Sequence, residues 1–392
     1  MHNIGYRKRI AFGLLGCLIV SIWACRSSLE NEEMLSAHTD STSVSTSTED
    51  TWTPWIAISN TADKTLEIYN YNSTTWDAST CNWLFKPTTA LGYSANAIQA
   101  LGDGIGDARL HYTNGFPGKA TSAFVVQGGR FLGIGAYIPE GTYVKGQKLW
   151  EYIFPTADNP NNHAVELLPN GNIVVAGFGD GTAASPRGNW VRIYNTADPT
   201  GASYAQADII APHALLLDTI YHRLWVGGEI LIGGLAYHGL FAYSIGGTRT
   251  NPSITEDTSM RAVLRYGSPT NPTGVADHLK FPHDLAPDYD DDHILIYGDH
   301  TGVYRFNKLT KTFTPTPGVS HRYGGTDVLI KSVGKQAVGG KYVVSEVQDP
   351  TNHPYETNKV DFYDGNTGAF SFSRTVGGYT IYRARIWTHV YQ

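Results

Sequence analysis

Cysteine is nearly absent from this chain: three among 392 residues, Cys17, Cys25 and Cys81. The first two fall in or at the end of an apolar leader, so Cys81 has no intrachain partner and stability has to come from a packed core. Charged residues are also sparse, at 16%. Long stretches of helical period are missing, which argues against helical bundles and doubly wound folds. No Gly-x-Ser-x-Gly elbow, no His-Glu-x-x-His and no paired cysteines occur, so serine-hydrolase and zincin chemistry have no support. The run Gly102-Asp103-Gly104-Ile105-Gly106-Asp107 lacks the Lys-Ser/Thr ending of a phosphate loop and reads as a surface loop. Asp288-Tyr289-Asp290-Asp291-Asp292 lacks the glycine and terminal glutamate of a calcium loop and reads as a solvated hairpin turn.

The first residues read as an address. Arg7, Lys8 and Arg9 precede an apolar stretch, Ile10 to Ile22, that is too short to span a bilayer. It ends Ile22-Trp23-Ala24-Cys25, which resembles a bacterial lipoprotein box. Residues 1–24 are therefore expected to be a signal peptide and Cys25 the lipidated residue. Residues 25–51 are rich in Ser, Thr and acid and poor in large apolar side chains, so they cannot bury enough surface to fold and read as a tether. Acids close behind the lipidated cysteine resemble the surface-export signal of Bacteroidota lipoproteins, which implies an outer-membrane, cell-surface location with the lipid as the sole membrane contact. The net charge of −6 becomes −9 once Arg7, Lys8 and Arg9 leave with the signal, and Glu30, Glu32, Glu33, Asp40, Glu49 and Asp50, against Arg26, account for about −5 of that. The remaining part, residues 52–392, is close to neutral, which argues against nucleic acid as a partner.

From residue 52 onward short β-rich runs recur. His163-Ala-Val-Glu-Leu-Leu leads through Pro169-Asn170-Gly171-Asn172 to Ile173-Val-Val-Ala-Gly and on to Trp190-Val-Arg-Ile-Tyr, a meander with a tight Asn-Gly hairpin. Equivalent runs start near Arg109, His213, His283, Lys331 and Arg383, with one insertion around residues 246–280. A period of about fifty residues suits one four-stranded blade. The run at residues 381–387 has no room for a whole blade, and the first runs, Trp55 to Ile58 and Thr65 to Tyr69, lack a partner. Pairing them closes a ring without free sheet edges. The expected fold is an all-β propeller of six blades whose first blade is built from both ends of the domain; five or seven blades also fit the spacing.

The starts of the first strands carry Arg109, His163, His213, His283, Lys331 and Arg383, with Arg385 on the same face as Arg383. First strands of a propeller line its central channel, so these bases are expected to converge into a basic ring. Such a ring suits a carboxylate, sulfate or phosphate. Crowding also depresses the pKa of Lys331 and the histidines, leaving a neutral base able to take a proton. His163, His213, His283 and Lys331 are the catalytic candidates; Arg109, Arg383 and Arg385 the substrate-binding ones, joined by Tyr323 and Tyr355, whose flat rings can stack on sugars. No cofactor is favoured. A divalent transition metal, if bound, would fall to His163, His213 and His283, against the repulsion of the neighbouring cations. Asp284 is expected on the opposite face as a structural partner.

The set Asn162-His163, Leu168-Pro169-Asn170-Gly171-Asn172, His213, His283-Asp284-Leu285, Gly302-Val303-Tyr304-Arg305-Phe306, Lys331-Ser332-Val333 and Tyr382-Arg383-Ala384-Arg385 resembles a family of secreted bacterial six-bladed propellers of unknown function. The resemblance covers most of residues 105–390 and implies the fold without naming a reaction. A looser similarity, in architecture and histidine usage, links the chain to propeller-type polysaccharide lyases such as the oligogalacturonate lyases. The functional expectation is a monomeric, surface-exposed, glycan-active lipoprotein, a lyase or hydrolase of an acidic or polar saccharide. Its alternatives are a non-catalytic glycan- or anion-binding lipoprotein and a structural protein-interaction propeller.

Overall fold

The computed structural model describes residues 55–156, 161–178, 189–232, 235–264, 282–316, 318–319, 329–337 and 340–389. These form six antiparallel sheets arranged as a six-bladed propeller. The first blade runs outward as β25 (Ile381–Ile386), β1 (Trp55–Asn60), β2 (Thr65–Asn70) and β3 (Cys81–Phe85). The second is β4 (Asp107–Tyr112), β5 (Ala120–Gly128), β6 (Phe131–Pro139) and β7 (Lys148–Ile153). The third is β8 (Asn161–Leu167), β9 (Ile173–Phe178), β10 (Trp190–Tyr194) and β11 (Tyr204–Asp208). The fourth is β12 (Ile210–Asp218), β13 (Arg223–Ile232), β14 (Leu235–Gly247) and β15 (Pro252–Glu256), with β16 (Ala262–Leu264) as a fifth strand paired to β14. The fifth is β17 (Pro282–Pro287), β18 (Ile294–Asp299), β19 (Gly302–Asn307) and β20 (Thr312–Pro315); the sixth is β21 (Ile330–Lys335), β22 (Tyr342–Glu346), β23 (Lys359–Tyr363) and β24 (Phe370–Thr375).

The closure is the one expected from the orphaned runs. Strand β25 pairs antiparallel with β1 from Ile56↔Ile386 to Ser59↔Arg383, so the end of the domain supplies the innermost strand of its first blade. The insertion near residues 246–280 is accounted for in part by β16, which extends the fourth blade. One short helix, α1 (Ala95–Ala100), capped by the Ser94 side chain, bridges the first two blades.

Strand side chains alternate between the two faces of a blade, and both faces of a blade meet a neighbour. The core is therefore divided into six interblade layers. Phe85, Phe124 and Phe131 fill the layer between the first two blades; Ile56, Tyr69, Val343, Val360 and Phe362 fill the layer between the sixth and the first. Each large apolar side chain so buried contributes roughly 1.5 to 3 kcal/mol. The last layer gives the closing blade a buried apolar contact of the same kind as the others.

The glycine-rich run at residues 102–107 differs from its reading as a surface loop. Its second half dives into the propeller: Ile105 and Asp107 are fully buried. Gly104 has φ +114 and lies so close to the Thr61 carbonyl that a Cβ would overlap it. The acidic turn at residues 288–292 is likewise split. Asp288 is buried and pairs with Lys335 at 2.6 Å, whereas Asp292 is exposed.

Candidate functional site

The innermost strands of five blades share a register irregularity at their start. In β8 it falls between Asn162 and Ala164, in β17 between Pro282 and Asp284, and in β21 between Ile330 and Ser332. The extra residues are His163, His283 and Lys331. In β12 the shift is wider, between Ile210 and Ala214, and includes His213, with Ala211 held at φ +46. A bulge leaves its residue out of the ladder and re-aims its side chain. The four catalytic candidates thus occupy one structural position in four successive blades, where a bulge turns them toward one another.

The same register gives different occupants in the other two blades than the sequence spacing suggested. In β25 the shifted residue is Tyr382, between Ile381 and Arg383. In the second blade the strand is regular and Asp107 pairs with Gln127, placing Gly106 at the equivalent point. A Cβ on Gly106 would stand 2.8 Å from Gln127 Nε2. Arg383 and Arg109 lie deeper along their strands. The upper circle is therefore His163, His213, His283, Lys331, Tyr382 and a glycine gap.

These side chains touch. The His163 and His213 rings stack at 3.9 Å with a 24° tilt, and His283 lies 5.4 Å from His213. Lys331 Nζ sits 3.1 Å from His283 Nε2, and the Tyr382 hydroxyl 3.2 Å from His163 Nδ1. Tyr355, 61% exposed, stands over the same amine at 5.5 Å, so the structure brings this candidate to the cluster as well. His300 stacks on His283 at 4.5 Å. Burial, reinforced by Arg383, pushes the Lys331 amine down to about 7, with Glu356 opposing. Burial likewise pushes His213 down to about 3 although its Nδ1–H donates to the Ala211 carbonyl at 2.9 Å. His163 falls well below the ordinary range, by burial and then by the charges of its neighbours. Burial thus disfavours the charged forms of both imidazoles and of the amine.

The arginines form a second, buried layer beneath. Arg383 Nη1 lies 3.0 Å from Asp107 Oδ2, Arg385 Nε donates to Asp107 Oδ1 at 2.8 Å, and Arg385 Nη1 reaches Asp284 Oδ1 at 2.6 Å. Arg109 lies 3.5 Å from Asp284 and 4.0 Å from Glu166, and donates to the Leu215 and Leu285 carbonyls. Burial alone would raise the Asp107 carboxyl, but Arg385, Arg383 and Arg109 outweigh it and hold it low. Glu166, bonded to His111 at 2.6 Å, is lowered by His111 and Arg109 against its burial. Three guanidinium groups meet three carboxylates. The arginines are at most 6% exposed and each faces a carboxylate, which offsets much of the positive charge expected at the mouth, although Arg383 still bears on the cluster above.

This layer still acts on the cluster above it. Arg383 donates from Nη2 to the His213 carbonyl at 3.1 Å, fixing the bulge that carries the imidazole. Asp284, expected as a structural partner, takes the Leu285 and Val333 amides and tethers the fifth blade to the sixth. Sequence reasoning missed Tyr382, Asp107, Glu166 and His300. Tyr382 was legible as the neighbour of Arg383; the two acids gave no signal, because their partners come from other blades.

Among the described residues no group of three His, Cys, Asp or Glu side chains is disposed to hold a metal. Tyr323 and Cys25 lie outside the described residues.

No family model matches the sequence, and no curated protein matches it. Among solved structures, the chain is similar to the crystal structure of Chaetomium thermophilum Sqt1 bound to the N-terminus of the ribosomal protein L10. The two are 11% identical, with 82% of this chain and 72% of that chain covered at a TM-score of 0.42. A likeness at that level carries no functional argument.

Proposed function

We propose that this chain is a surface-exposed, glycan-active lipoprotein, tethered through Cys25, that cleaves an acidic saccharide by elimination at the His163, His213, His283, Lys331 and Tyr382 cluster. The observation that carries the reading is a pair of complementary groups at one mouth: a neutral-capable buried amine, and a phenol that stays protonated. Burial raises the Tyr382 hydroxyl above its ordinary value. Elimination needs a base and an acid of this kind. Lys331 takes the proton next to a uronate carboxylate, the C–H electrons form the double bond, the glycosidic C–O bond breaks, and Tyr382 protonates the departing oxygen. The N–H groups of His163 and His283 hold the carboxylate, a role the ion-paired arginines leave to them, whereas the N–H of His213 is spent on the Ala211 carbonyl. Tyr355 offers an exposed ring face for a sugar.

Elimination is favoured over hydrolysis on a chemical ground. Glycoside hydrolysis calls for two carboxyl groups flanking the bond. Asp107, Glu166 and Asp284, the buried acids beneath the cluster, are committed to arginines. The test is incubation of the purified protein with a panel of uronic-acid polysaccharides, followed by the ultraviolet absorbance of an unsaturated uronide. Absorbance is expected to grow, with a rate rising through pH 7, and Lys331→Ala is expected to lower it on the order of a hundredfold or more. Retarded migration in affinity electrophoresis without product would replace the enzyme by a binder. The absence of both product and retardation would overturn the glycan reading.

A further inference from the structure

We infer that Lys331 is a carbonyl-capturing amine, which condenses with a small aldehyde to form an imine at the mouth of the propeller. The inference starts from how this fold handles its other deeply buried lysines. Lys308, 1% exposed, sits 2.7 Å from Asp218; Lys335, 4% exposed, sits 2.6 Å from both Asp288 and Asp290. Each has a carboxylate as its direct ion-pair partner. Lys331 is as deeply buried, at 3%, yet among the described residues no carboxylate lies within ion-pair distance of it. Its Nζ faces an imidazole nitrogen instead, His283 Nε2 at 3.1 Å, and the rings of Tyr355 and Tyr382 at 5.5 and 5.6 Å. A buried ammonium without a counter-ion is costly, so the arrangement favours the amine, the nucleophilic form.

The surroundings also serve the later steps. The amine attacks the aldehyde carbon and gives up a proton to His283 Nε2. His283 returns it to the alkoxide to give the carbinolamine hydroxyl, and a second proton passed from the nitrogen to that hydroxyl by the same route lets it leave as water. The product is a C=N bond, with no oxidant or reductant consumed. Protonated, that nitrogen carries its charge between two tyrosine faces, which stabilise a cation. His283 is held for the relay by its stacking on His300 at 4.5 Å. Arg383 and Glu356 are the charged groups that bear on the amine, in opposite directions.

The inference is independent of elimination, since it uses the nitrogen as a nucleophile toward carbon rather than as a base toward C–H. The test is incubation of the folded protein with glyoxylate and sodium cyanoborohydride, then intact mass and peptide mapping. One carboxymethyl adduct is expected at Lys331 before any other lysine, by about tenfold in rate, with half-maximal rate near pH 7. His283→Gln should slow the adduct without moving its position, and Lys331→Arg should remove it. Labelling spread over the exposed lysines, or an unmodified Lys331 in the wild-type protein, would overturn the proposal, and that readout needs no variant to fold.

Discussion

At the residue scale, protonation and burial are in conflict at the mouth of the propeller, and the sign of the consequence is fixed. The folded His213 takes a proton only near pH 3, whereas an unfolded histidine takes one near 6.5. Between these values the unfolded chain binds the extra proton, so stability falls as pH drops below about 6.5. One such group changes stability by about 1.4 kcal/mol per pH unit. His163, and Asp107 and Glu166 with their lowered carboxyls, act in the same direction. His213→Phe keeps a ring in the stack and removes the titration. Its denaturation midpoint should fall less between pH 6.5 and 4.5 than that of the wild type; an unchanged slope would mean that His213 is solvated in the folded chain. Lys331 gives the matching effect on the alkaline side. Its folded value near 7 lies below the ordinary 10.5, so stability rises with pH between the two.

At the scale of the element, the bulge is the device that makes the cluster. A regular strand would send alternate side chains into the interblade layers, as β4 does with Ala108 and Leu110. The extra residue in β8, β12, β17, β21 and β25 breaks that alternation once per blade, and the freed side chain turns to the axis. The second blade keeps its strand regular and reaches the same level with Gly106. The approach to β4 depends on Gly104, whose φ of +114 and contact with the Thr61 carbonyl leave no space for a side chain. Gly104→Ala should therefore destabilise the protein by on the order of 3 kcal/mol. Thermal unfolding measures this, and a loss within experimental noise would show that the loop reaches β4 by another path. Asp107 begins β4 and orders two arginines of the first blade, so the substitution should also disturb the layer below the cluster.

For the whole molecule, closure by β25 couples fold and site. That strand contributes the inner edge of the first blade together with Tyr382, Arg383 and Arg385. Deleting residues 381–392 removes the strand and its part of the layer in which Ile381 and Ala384 pack on Val343 and Phe362. Asp107 then loses both of its nearest guanidinium partners, and a buried carboxylate left unpaired costs several kcal/mol. The truncated chain should lose its cooperative unfolding transition, read by circular dichroism. A sharp transition at the wild-type temperature would mean that the blades hold together without the clasp.

The architecture was legible because its causes are local. Asn170-Gly171 makes a hairpin wherever it sits between apolar runs, and the sixfold recurrence of such runs, with unpaired runs at 55–69 and 381–387, leaves a closed ring as the natural solution. The positions of His163, His213, His283 and Lys331 were legible for the same reason, as each follows the repeat. Spacing could not distinguish Arg383 from Tyr382, or Arg109 from Gly106, since a one-residue bulge decides which side chain faces the axis and leaves no mark in composition. Nor could it place Asp107, Glu166 and Asp284 against the arginines, because each of those pairs joins strands of different blades. Local chemistry along the chain determined the blades; the charge state of the mouth was decided only when distant strands converged, because electrostatic energy depends on separation in space.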